Sequence, residues 1–94
     1  MQNGQITEEK IRWEIKRLIA AVTEREPEEV SDTASFAEDL GVDSLMGMEV
    51  MVAMDRKFRI DIPEEEFVKA TNVDQAVAMV RRYLPDPVST TASA

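Results

Sequence analysis

Leu40-Gly41-Val42-Asp43-Ser44-Leu45 marks the point where the chain changes character. Before it lies a turn-prone, acidic stretch. After it the apolar residues recur at helical spacing, which predicts a helix from Ser44 to about Phe58. Met48, Met51, Met54 and Phe58 share one face with Gly47, the side expected to turn inward. Leu45, Glu49, Val52 and Arg56 share another, at spacings of four, three and four. Leu45 and Val52 are apolar residues that a single buried stripe does not require. The second face therefore reads as a mixed surface for a partner rather than as ordinary exposed leucine and valine.

Upstream, a first helix is predicted from about Glu8 to Glu24, with Thr7 as its N-cap and Glu8 and Glu9 at the positive end of the dipole. Ile11, Ile15, Leu18 and Val22 form its apolar stripe. Trp13 lies off that stripe and is expected to pack on the helix flank or on the N-terminal residues. Pro27 disfavours helical geometry at Glu26 and ends the helix. Glu28 to Asp43 then reads as a long connection anchored by Val30, Phe36 and Leu40, with one helical turn between Phe36 and Leu40. A loop of that length in so short a chain tends to be functional.

Downstream, Ile60 and Ile62 alternate inward, and Pro63 opens a short third helix from Glu64 to about Lys69. Asn72 caps a fourth helix, with Gln75 three residues on completing something close to a capping box. Its apolar face is Val73, Ala76, Val77, Val80 and Leu84, and Pro85 and Pro87 end it. No strand and no internal repeat is evident. The fold class is therefore all-α: a four-helix bundle with a short third helix and a long loop between helices 1 and 2. The expected organisation is one domain over residues 1–84 and a flexible C-terminal tail over 85–94.

Composition narrows the function. Ninety-four residues with a 44% apolar fraction make one small core. A net charge of −8 argues against nucleic-acid binding, which wants basic patches. With no histidine and no cysteine, zinc sites of the usual kind, imidazole catalysis and a Ser-His-Asp triad are excluded. No apolar run reaches the roughly 18 residues of a membrane span, and no secretory signal opens the chain. A cytoplasmic, monomeric protein with no metal and no catalytic residues of its own is expected.

A serine at a helix start is usually only a cap. Ser44 differs in its setting. Asp32, Glu38, Asp39 and Asp43 precede it with no lysine or arginine from Val30 to Ser44, Gly41 and Val42 make a tight approach, and Leu45 follows on the outer face. A phosphodiester at that place would meet backbone N–H groups and the positive end of the helix dipole. Nothing nearby in sequence activates the hydroxyl, so another protein must supply the catalyst.

The run Ala34-Ser35-Phe36-Ala37-Glu38-Asp39-Leu40-Gly41-Val42-Asp43-Ser44-Leu45 resembles the signature of the acyl carrier proteins. The likeness continues through Glu49, Phe58, Ile60, Ile62 and Pro63 to Thr71-Asn72-Val73, and covers roughly Ile6 to Leu84. The resemblance implies covalent 4'-phosphopantetheine on Ser44, with Asp43 and Leu45 flanking it. It implies a partner surface including Leu45, Met46, Glu49, Val52 and Arg56, and an acyl cleft bordered by Phe36, Met48, Met51, Met54, Ile62, Phe67, Ala70 and Ala76. The partners it implies are a phosphopantetheinyl transferase and acyl-loading, ketosynthase or acyltransferase enzymes of a fatty-acid-like or polyketide pathway.

Three residues depart from the fatty-acid type. Met46 stands where an acid is common, and residues 45–58 carry Glu49 and Asp55 against Arg56 and Lys57, so the second helix is neutral. Gly47 interrupts that helix, giving an attached arm room or packing tightly against the loop. Phe67 replaces a small cleft residue, which predicts a shallower or gated cleft. A peptidyl carrier of nonribosomal synthesis is the nearest rival, but those carriers usually place glycine where this chain has Asp43. An unmodified helical adaptor is a further alternative. An enzyme or calcium-binding loop built on Asp39 and Asp43 is weakest, because the spacing is not that of an EF-hand.

Overall fold

The structure, a computed structural model, describes residues 7–84. The expected tail over 85–94, its two prolines and the residues before Thr7 lie outside that range. The described residues form four α-helices and no strand: α1 (Glu8–Thr23), α2 (Ser44–Phe58), α3 (Glu64–Phe67) and α4 (Val73–Tyr83), with a 3₁₀ turn at Pro27–Glu29. None of the helices is long and apolar enough to cross a membrane.

Local chemistry sets the helix ends. The Lys10 N–H donates to Thr7 Oγ1 at 3.1 Å, and the Gln75 N–H to Asn72 Oδ1 at 2.9 Å, so both residues cap as their types predict. The box at α4 is displaced by one residue, because Gln75 Oε1 accepts from the N–H and hydroxyl of Thr71 rather than from Asn72. Glu24 and Arg59 end α1 and α2 in the left-handed conformation, at φ 57° in both cases. Helix α1 thus stops one residue short of the expected Glu24. Helix α3 is also shorter than expected: the Lys69 and Ala70 N–H groups turn back to the carbonyls of Glu66 and Phe67, which tightens the chain after Phe67.

Helix α1 packs against α4, α2 and the 3₁₀ turn. That three-sided setting moves its buried stripe from the expected one. Ile11, Ile15, Ile19 and Ala20 are buried, whereas Leu18 and Val22 are only half-buried. In α2 the core takes Val50, Met51, Met54 and Phe58, and Met48 stays half-buried. Val50 was not expected inside. Helix α4 contributes Val73, Ala76, Val77, Met79 and Val80, with Leu84 at the margin. Trp13 is 48% exposed on the outer side of α1.

The long α1–α2 connection is held by backbone bonds and buried anchors. Val30, Phe36 and Leu40 are all buried, as their spacing among polar residues predicts. The Phe36 N–H donates to the Thr71 carbonyl at 2.9 Å and the Asp74 N–H to the Asp32 carbonyl at 3.1 Å, fastening the loop to the start of α4. The Asp39 and Leu40 N–H groups both return to the Ser35 carbonyl, which closes the single turn expected between Phe36 and Leu40. Arg25 Nη1 donates to the Leu40 carbonyl at 2.9 Å and fixes the chain just before Gly41.

Candidate functional site

The approach to α2 is built by two adjacent residues. Gly41 takes φ 73°, a conformation that costs any residue with a Cβ. The Val42 N–H donates back to the Phe36 carbonyl at 2.8 Å, closing the turn. Asp43, not Ser44, is the N-cap: its Oδ1 accepts from the Met46 N–H at 2.9 Å, and its carbonyl accepts from the Gly47 N–H at 2.9 Å. Ser44 is the first helical residue, is exposed, and its hydroxyl plays no part in the cap. The Ser44 and Leu45 N–H groups lie ahead of the first backbone bond of the helix and have no backbone acceptor among the described residues.

Beside Ser44 opens a cleft of about 260 Å³, lined mainly by apolar surface. Its walls come from three elements. Phe36, Ala37 and Val42 belong to the loop, Ser44, Gly47 and Met48 to α2, and Phe67, Val68, Ala70 and Thr71 to α3 and the turn after it. The structure divides the eight residues expected at a cleft. Phe36, Met48, Phe67 and Ala70 line it, while Met51, Met54, Ile62 and Ala76 are buried in the core. Only the first turn and a half of α2 faces the opening, so Met51 and Met54, further along the helix, pack into the bundle.

Val42, Val68 and Thr71 line the cleft without having been anticipated. Val42 and Thr71 stand in the runs that resemble the carrier signature but were given no cleft role, and Val68 was signalled only by its neighbour Phe67. The open ground at Gly47 removes one of its two sequence readings. A Cβ built there meets nothing within 4 Å, so the glycine is not required by tight packing.

The outer face of α2 presents Leu45 at 69% exposure and Val52 at 46%, with Glu49 and Arg56 exposed between and beyond them. Met46 is half-buried. The acidic loop is less uniform than its sequence. Asp32 faces α1, where its carboxylate lies 2.7 Å from Lys16 Nζ and 3.4 Å from Arg12 Nη1. The close Lys16 ammonium outweighs burial, and with the charge of Arg12 it holds the Asp32 carboxyl below its ordinary range. Asp39 Oδ2 accepts from the Ser35 N–H at 2.8 Å, and Asp43 caps α2. Glu38 is exposed at the surface of the same turn.

An exposed hydroxyl at a helix start, next to an apolar cleft, is a place where a group can be attached and sheltered. A model of the family described as the phosphopantetheine attachment site matches residues 13–80, and the chain belongs to that family. It is a carrier of covalent 4'-phosphopantetheine. The residues present fit such a group: the cap leaves the Ser44 hydroxyl free, and the adjoining cleft has no side chain standing over Gly47.

Proposed function

We propose that the protein is an acyl carrier in which Ser44 bears the phosphopantetheine arm. The observation that carries this reading is the division of labour at the start of α2. Asp43 supplies the cap, so the neighbouring hydroxyl is exposed and uncommitted. A phosphodiester at Ser44 would find the N–H groups of Ser44 and Leu45 and the positive end of a 15-residue helix. When bound, the group supplies a thiol that holds an acyl chain as a thioester. The hydroxyl has no histidine to activate it, so a phosphopantetheinyl transferase supplies the base that attachment needs.

The finer reading is an acyl rather than a peptidyl carrier, supported by Asp43 ahead of the serine. Its clients are acyl-loading, ketosynthase or acyltransferase enzymes of a specialised fatty-acid-like or polyketide pathway. They would dock on Leu45, Met46, Glu49, Val52 and Arg56. The neutral balance of α2 supports clients that rely on apolar contact more than on attraction to an acidic helix. The test is intact mass after incubation with coenzyme A and a broad-specificity phosphopantetheinyl transferase. One phosphopantetheinyl group is expected on the wild type and none on Ser44→Ala. A folded wild-type protein that gains nothing would overturn the assignment of the arm to Ser44 and favour an unmodified helical adaptor.

A further inference from the structure

Gly47 sits in the interior of α2 in a position that the fold itself does not ask for. Its backbone is not in the left-handed region, so no turn requires it. A Cβ there meets nothing within 4 Å, so no close packing requires it either. A glycine inside a helix nonetheless carries a penalty relative to alanine. A side chain at residue 47 would stand at the wall of the cleft. Gly47 lies three residues after Ser44, on the same side of the helix, and it lines the cleft with Ser44, Met48 and Phe67.

We propose that Gly47 is a specificity-determining position: its missing side chain keeps open a passage from Ser44 into the cleft, and so lets a carried acyl group be housed there. This rests on the carrier reading of Ser44. Phe36 and Phe67 line the same cleft as buried aromatic side chains, whereas Gly47 adds no side chain to it. The cleft's apolar lining suits a short alkyl chain, and its 260 Å³ lies just below the range of about 300–1,000 Å³ that houses a drug-sized ligand. Exposure of the thioester then depends on how often the chain leaves the cleft, which is a population between two states.

The experiment loads wild type, Gly47→Ala and Gly47→Leu from hexanoyl-coenzyme A with a broad-specificity phosphopantetheinyl transferase. Thioester cleavage by hydroxylamine is then followed by intact mass, with melting temperature as the check on folding. A chain housed about nine-tenths of the time is attacked about tenfold more slowly than a free one. Gly47→Leu is expected to erase most of that protection and Gly47→Ala part of it, while Gly47→Ala melts higher than wild type. If the Leu variant is not loaded, the Ala variant decides the question alone. Equal cleavage rates in loaded wild type and variants would overturn the inference and leave the carrier reading standing. Failure to load the wild type would overturn both.

Discussion

At the scale of single residues, the start of α2 depends on a glycine for its backbone and an aspartate for its hydrogen bonds. Gly41 holds φ 73°, and a Cβ there would meet no atom within 4 Å. The cost of Gly41→Ala is therefore backbone strain alone, about 1–2 kcal/mol. In urea denaturation the midpoint is expected to fall with the slope unchanged, and Gly41→Asn to lie between wild type and alanine. An alanine variant as stable as wild type would mean that the turn does not need its left-handed residue. That Ser44 opens α2 in an exposed place was legible in the sequence, because a turn-prone run meets a helical period there. Its freedom from capping was not, since Asp43 and Ser44 are equally good capping residues and only the backbone at Asp43, with ψ at −178°, selects between them.

At the scale of the helix, α2 separates its two apolar faces by consequence. Met54 and Phe58 hold the bundle together, while Leu45 and Val52 face outward. Along the same helix Asp43 and Glu49 lie toward the serine, and Asp55, Arg56 and Lys57 toward the far end. Lys57 is 3.7 Å from the buried Glu14 carboxylate, so Arg56 is the better probe of docking. Leu45→Ala and Arg56→Glu are expected to change stability by no more than about 0.5 kcal/mol, as exposed residues do. Leu45→Ala should lower kcat/KM for transferase loading roughly tenfold, the loss of about 1.5 kcal/mol of apolar burial on docking. Arg56→Glu should alter the association rate and its salt dependence. Loading kinetics unchanged in both variants would remove this face as the docking surface. The boundaries of α2 and the outer face of that helix were legible because a turn and a period of 3.6 agree there. The buried stripe of α1 was shifted by its neighbours. Ile19 continues the spacing of four set by Ile11 and Ile15, and Val50 the spacing of Met54 and Phe58, so each helix carries two overlapping apolar stripes and its neighbours select the buried one.

At the scale of the whole molecule, ion pairs between elements make stability depend on pH, and their signs can be worked out. Glu14 is 6% exposed, and its Oε1 accepts from Arg17 Nη2 at 2.8 Å. Burial pushes its carboxyl upward, but the Arg17 hydrogen bonds and the charges of Arg17, Lys57 and Lys10 prevail and hold it below the ordinary range. Asp32 is lowered as well, chiefly by Lys16. Asp55 goes the other way: burial raises it against the Ile62 N–H bond, and the charge of Asp61 adds to the rise. For Glu14 and Asp32 the folded state binds fewer protons than the unfolded chain. Their contribution is complete above the unfolded values of about 4 and is lost as pH falls through the lower folded values. For Asp55 the folded state binds a proton first. Its ionised form is penalised at neutral pH, and the penalty lifts as pH falls from the raised folded value to about 4. Stability should therefore hold or rise slightly on mild acidification and then drop below about pH 4. Urea midpoints measured across a pH series check this. In the Glu14→Gln, Asp32→Asn double variant, stability at pH 7 should be lower and the acid drop flatter. In Asp55→Asn, whose amide oxygen can still accept from Ile62 N–H, the mild-acid rise should vanish. If the double variant keeps the wild-type slope in acid, the pairs of Glu14 and Asp32 are not what couples the bundle to pH.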